Sequence, residues 1–522
     1  MFLGRTLADG VMTPTSDAAA GSAAPAVAAA SPVQRWPAAL DRWAQATLLG
    51  AIVWAPWPLG SNRSWAVALL AFVLWLAVAL AVSAAALAGP KSTLAPSRPW
   101  PAAAYMPLAA LASFALLLVA QMIPGLGPGG GPISIDTFHT RAYLLRTLLY
   151  AGAWLLVLLT VRDRERAGRL LGAVVAAGVL QAVGAVVLYS SGAHYDWLFT
   201  PFDQGGRAQG TFPSPDHLAG YMELCLSAGL GWLIAQLGAG EGQGRGWRSQ
   251  AVGFLSFVMS AKMLLRLLLV VMVIALVMTH SRMGNGAFFL AIGIVGALVA
   301  ARSRQLRRPA LWLVGSMALV DVLVIGQWVG LDRVIQRLEH TAEASSEAIA
   351  GFGLGAAPPP QEESLALRLT VPRLSMQLVV QRPLLGWGGG TYATAFPPFK
   401  QPGLPWHWDH AHDDYVQVAC DTGLVGLALW LAVGVASLAR ALRLLNDGQS
   451  RMNRGVAVAA LMALCCIGLH SVVDFNLHIP SNALVFTVLL ALVWAVPAET
   501  GRRRRPPHRS SHHGGTGDEE EA

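Results

Sequence analysis

Residues 65–88 read WAVALLAFVLWLAVALAVSAAALA, an apolar run with no charged side chain. At 1.5 Å of rise per residue, a helix of that length crosses roughly 30 Å of hydrocarbon, and a helix satisfies its own backbone N–H and C=O groups, as lipid demands. Comparable runs recur over residues 40–58, 102–123, 142–161, 168–190, 215–237, 262–280, 285–301, 310–330, 415–439, 455–474 and 481–497. Composition agrees: 54% of the 522 residues are hydrophobic, 13% are charged and the mean hydropathy is +0.50. Soluble domains carry about 25% charged residues. The expected fold is therefore all-α, a polytopic membrane protein with about 12 transmembrane helices and a large, partly helical periplasmic loop.

The net charge of +8 would suit nucleic acid only if the basic residues shared one face. They alternate instead. Clusters at Arg162, Arg164, Arg166 and Arg169, at Arg302, Arg304, Arg307 and Arg308, and at Arg440, Arg443, Arg451 and Arg454 fall on every second loop, as the positive-inside rule requires of cytoplasmic loops. Residues 1–39 are expected to be a disordered cytoplasmic tail without a secretory-signal pattern, followed by helices 1–9 over 40–330. A periplasmic loop over 331–414, helices 10–12 over 415–497 and a charged cytoplasmic tail over 498–522 complete the division. Cys225, Cys420, Cys465 and Cys466 lack the spacing of a disulfide framework or zinc knuckle.

Four outer segments hold groups that a topology does not need. Arg207, in the Gly-rich stretch 202–218, offers a planar fork for phosphate oxygens, or equally a structural tie within its loop. Arg282 follows Thr279-His280-Ser281, where an interfacial anchor and an anion contact are both open. Arg368 lies in an expected helix over 363–380 with Pro372 as its kink, and Arg382 opens the turn Pro383-Leu384-Leu385-Gly386-Trp387-Gly388. The last segment carries His410, His412, Asp413 and Tyr415 at the entrance to span ten. Its crowded spacing favours a general base or proton shuttle over a metal site, with capping of span ten as the plain alternative. No P-loop, dinucleotide fingerprint or serine-hydrolase elbow is present, so nucleotide-driven chemistry is not expected. Arg and His on one membrane face point to group transfer from a lipid-linked phosphate or pyrophosphate.

The run His410-Ala411-His412-Asp413-Asp414-Tyr415-Val416-Gln417, followed by Asp421-Thr422-Gly423-Leu424-Val425-Gly426-Leu427, resembles the H-x-H-N-D-Y-L-Q and E-x-G-L-I-G-L signature of O-antigen ligase-like bacterial membrane proteins. The 383–388 turn, Gly210-Thr211-Phe212, Ser281-Arg282 and the 470–482 stretch are similar to that family as well. The resemblance, over about residues 40–497, implies a glycosyltransferase of the bacterial inner membrane with its active face toward the periplasm and both termini cytoplasmic. It implies an undecaprenyl-diphosphate-linked glycan as donor, with no cofactor, metal, nucleotide or nucleic acid. His412 then stands at the catalytic His position, Arg282 and Arg368 at the family's arginines, and Arg207 as a further diphosphate candidate. His410, Asp413, Tyr415 and Arg382 are diphosphate or supporting candidates. Asp413 and Asp421 depart from the family's Asn and Glu, which leaves the acceptor open. Ligase action on lipid A core is the favoured reading. Polymerase, protein O-oligosaccharyltransferase and, in another class, transporter or flippase are the alternatives.

Overall fold

The computed structural model describes residues 32–89, 102–192, 206–236, 260–302, 315, 365–402, 404, 407–446 and 450–496. The expected tails, the span over 310–330 and the loop over 331–364 lie outside the described residues apart from residues 32–39, which begin the first helix, and Gly315. Among the described residues there is no strand. Among the described residues, eight long helices precede the loop: α1 (Pro32–Trp54), α2 (Ser64–Ala88), α3 (Tyr105–Gln121), α4 (Thr137–Thr160), α5 (Arg164–Ser191), α6 (Pro215–Gln236), α7 (Ala261–Met278) and α8 (Arg282–Arg302). After it come α9 (Leu365–Gln381), the single turn α10 (Tyr392–Ala395), α11 (Asp414–Asn446), α12 (Arg451–His470) and α13 (Pro480–Ala495).

Eleven of the twelve apolar runs coincide with a helix. Seven of these are long and apolar enough to cross a membrane: α2, α4, α5, α6, α8, α11 and α12; α3 and α13 are shorter apolar helices. The chain is a multi-pass membrane protein by this measure. Pro372 sits inside α9.

At the centre stands α6, whose most apolar window is 89% buried, against α12 at 72%; the others are half-buried or less. The two meet backbone to backbone. A Cβ on Gly231 would lie 2.4 Å from the Gly455 carbonyl oxygen, and one on Gly455 would lie 2.4 Å from that of Gly231. Small residues allow such approach, and in lipid the resulting dispersion contacts replace the hydrophobic drive that water supplies elsewhere.

The two ends of the bundle are built differently. At one end Asp41, buried on α1, binds Arg162 (2.7 Å) and Arg166, while Arg440 donates to the Val493 carbonyl (3.1 Å) at the foot of α13. These arginines tie helix ends together. The opposite end gathers residues 206–214, 279–282, 382–402, 407–413 and 471–479, and the residues singled out by sequence lie there or, for Arg368 and Tyr415, on the adjoining α9 and the start of α11.

Candidate functional site

Asp216 opens α6 within the Ser-Pro-Asp stretch that starts the helix. Its buried carboxylate receives Arg207 Nη2 on one oxygen at 2.7 Å and Arg368 Nη2 on the other at 2.9 Å. Arg207 Nε also donates to the Thr279 carbonyl (2.9 Å), and the Ser281 hydroxyl bonds Asp216. The 207 loop, α6, the turn between α7 and α8, and α9 thereby converge on one carboxylate. The shared carboxylate holds two guanidinium groups in fixed orientation, and their planar N–H donors suit phosphate oxygens. Arg282 is exposed at the first residue of α8, directly after Ser281. Gly284 lets that turn seat closely, since a Cβ there would lie 2.6 Å from Ala219 Cβ.

His412 adjoins this pair. Its backbone takes φ 54°, a left-handed conformation costing a non-glycine residue of order 1–3 kcal/mol and characteristic of sites where side-chain direction matters. The ring stands edge-on between Trp408 (5.2 Å between centroids) and Phe475 (4.8 Å). Burial holds its pKa down to about 3, and Arg368 adds to the effect by repelling the protonated form. The imidazole is neutral at physiological pH and able to accept a proton.

Around it the motif residues divide their tasks. His410 stacks on Phe475 at 4.0 Å and accepts a hydrogen bond at Nδ1 from Gln417 Nε2 (2.9 Å), while Gln417 Oε1 takes the Ala411 N–H (3.1 Å). Those two bonds fix the ring and set the bend that presents His412. Burial holds His410 far below the ordinary histidine pKa, with His478 and His412 contributing. Asp413 accepts from the Val416 N–H at 2.9 Å, capping α11, and burial pushes its carboxyl up to about 6. Tyr415 points elsewhere, donating to the Gly468 carbonyl (2.8 Å). Arg382 donates to the Ile133 carbonyl (2.8 Å) and lies 4.1 Å above the Trp387 ring, so it braces a turn. The structure thus brings Arg207, Arg368, Arg282 and His412 to one neighbourhood, and gives Asp413, Tyr415 and Arg382 local partners outside the Asp216 clamp.

Sequence reading gave no role to Asp216 or Phe475, and Asp414 entered it only as a carboxylate beside the two histidines. Asp414 Oδ1 accepts from His478 Nδ1 (2.7 Å), and Oδ2 accepts from the Ser471 hydroxyl (2.7 Å) and the Leu477 N–H (3.1 Å). It locks the 471–478 segment beneath His412. Deeper, His470 Nδ1 lies 2.9 Å from Glu223 Oε1, both fully buried, with Asp474 3.6 Å from Nε2. An available signal was spacing: His470 and Asp474 sit at i, i+4. For Asp216 there was only an acid at a helix start. No cluster of three or more His, Cys, Asp or Glu able to hold a metal ion occurs among the described residues.

A family model described as O-antigen ligase matches residues 267–431. The matched stretch contains Arg282, Arg368, Arg382, His410, His412, Asp413 and Tyr415; Arg207 and Asp216 lie before it. Over that stretch, less than half of the chain, the protein is similar to O-antigen ligases, a likeness that supports a membrane glycosyltransferase of the ligase or polymerase type. No curated protein matches the chain.

Proposed function

From that likeness as premise, we propose that the protein transfers a glycan from an undecaprenyl-diphosphate-linked donor to an acceptor hydroxyl on the periplasmic face of the bacterial inner membrane, with lipid A core as the acceptor. The observation that carries this reading is a neutral, partly buried His412 within electrostatic reach of Arg368, one of two arginines oriented by a single carboxylate. Arg207 and Arg368, joined by Arg282, take the diphosphate oxygens. Their fixed geometry stabilises charge as it develops on the leaving group. His412 accepts the acceptor's proton as its oxygen bonds the anomeric carbon; the carbon–oxygen bond to the diphosphate breaks, and undecaprenyl diphosphate leaves with the electron pair. Displacement in one step inverts the anomeric centre.

The low basicity of His412 beside Arg368 suits this order of events. An arriving diphosphate offsets the positive charge of Arg368, raising the imidazole's proton affinity only once the donor is bound. The base is therefore strengthened by its own substrate.

The test is transfer by purified protein from undecaprenyl-diphosphate glycan, offered lipid A core, lipid-linked glycan or Ser-rich protein in separate reactions and read by mass spectrometry. Product on lipid A core, lost in His412→Ala while donor binding persists, is the expected result. Product on glycan chain or protein alone would reassign the acceptor. Equal transfer by wild type and His412→Ala would remove His412 as the base.

A further inference from the structure

A second feature lies away from the arginine pair, along one face of α4. Tyr143, Arg146, Tyr150 and Trp154 line a cavity of about 310 Å³ whose walls are otherwise mostly apolar side chains of α3, α11, α12 and α13. Arg146 stands nine residues into a 24-residue helix, about 14 Å from its start. It makes no hydrogen bond or ion pair with any described residue. A cation at that depth in a candidate membrane span carries a heavy solvation cost unless something compensates it.

Three further polar atoms in the wall are buried without a hydrogen-bond partner: Tyr150 Oη, Trp154 Nε1 and His478 Nε2. Native interiors satisfy such groups, and a concentration of orphans around one cavity points to a missing ligand. The acidic residue in the wall, Asp414, already receives three hydrogen bonds, from His478, Ser471 and Leu477, and does not neutralise Arg146 by contact.

The cavity also has a side entrance. Leu431, Val435 and Leu438 line it and are themselves exposed, so it opens on the apolar flank of α11. Its volume is at the low end for small-molecule sites. It accommodates a headgroup and the first part of one chain, with the remainder leaving through the side.

We propose that this cavity is a binding site for a single-chain lipid phosphate, separate from the arginine pair. Arg146 takes the phosphate, and the Tyr150 hydroxyl and Trp154 N–H donate to its remaining oxygens. The chain runs between α3 and α11 into the bilayer. The site does not depend on the glycosyl-transfer reading.

The test is native mass spectrometry of the full-length protein titrated with farnesyl monophosphate and with oleoyl lysophosphatidic acid, two single-chain probes that separate isoprenoid from acyl sources. Farnesol, inorganic phosphate and dioleoyl phosphatidic acid are the controls. At least one single-chain phosphate is expected to bind, and Arg146→Gln to weaken it about tenfold or more, as loss of a charge-assisted bond requires. Gly434 lines the cavity with only Leu464 within 4 Å of its would-be Cβ, so Gly434→Phe fills the space and keeps the charge. It too should weaken binding, whereas Arg368→Ala should not. Thermal unfolding of each variant verifies its fold. Unchanged binding in both cavity variants, equal binding of farnesol, or binding of inorganic phosphate alone would overturn the proposal; preference for the diacyl lipid would overturn the single-chain assignment.

Discussion

Two neighbouring motifs have equal prominence in the sequence and opposite roles in the molecule. The 410–415 run presents a histidine in a left-handed backbone turn beside two arginines. The 383–391 turn and the 421–427 run, by contrast, form a backbone lock. α11 breaks at Gly423, with φ 68° and ψ −175°, and the N–H groups freed there are taken by carbonyls of the turn: Leu424 donates to Pro383 (2.7 Å) and Val425 to Leu384 (3.3 Å). The turn donates back, from Trp387 to Cys420 and from Gly388 to Asp421, both at 2.9 Å. A Cβ on Gly386 would lie 2.6 Å from the Asp421 backbone. A persistent motif in a membrane protein can thus mark either chemistry or the only backbone that lets two segments touch.

That contrast is open to direct attack. His412→Ala should lower transfer by about a thousandfold, within the usual range for a general base, without moving the unfolding midpoint; a midpoint shift of similar weight would put His412 with the lock. Asp216→Asn should cost about 3 kcal/mol of stability in chemical denaturation, because two partly buried guanidinium groups lose their counter-charge. It should also reduce donor binding as Arg207 and Arg368 splay. Gly386→Ala should destabilise by a similar 2–3 kcal/mol, from positive φ and overlap together, yet leave kcat per folded molecule unchanged. Lost kcat in fully folded Gly386→Ala would dissolve the distinction.

Acidity gives a finer test. His412 is depressed from an ordinary value near 6.5 to about 3. The stability gained by keeping it neutral is complete above pH 6.5 and is lost as pH falls toward 3. The free-enzyme profile of kcat/KM should accordingly show no loss attributable to His412 between pH 8 and 5. A limb near 6.5 would mean a solvated ring. Asp413 runs the other way: raised to about 6, it contributes stability that is complete below about 3.8 and lost as pH rises through 6, a dependence Asp413→Asn should abolish. The smallest effect belongs to Arg382→Lys, about 1 kcal/mol from the weakened contact with Trp387, with transfer intact.

Much of this molecule was legible in one dimension. A membrane helix announces itself by local apolar length, so eleven of twelve expected runs lie on helices, with ends shifted by several residues where caps such as Asp136 on α4 and Asp163 on α5 extend them. His412, Arg207, Arg282 and Arg368 were legible as charged or titratable groups on segments that no bilayer demands. Arg382 looked the same by that criterion, and its aromatic and carbonyl partners lie five and some 250 residues away in the chain.

The sequence by itself determined the class of molecule, the course of its helices and the segments rich in chemistry, because apolar length and residue type are properties of contiguous chain. Only the tertiary structure decided which arginines share Asp216, which brace a turn and which, like Arg146, face a cavity without a bonded partner. Those outcomes depend on pairings across 152 residues, from Asp216 to Arg368, and 249 residues, from Ile133 to Arg382, where a 3 Å approach is set by how helices pack and not by anything local to either residue.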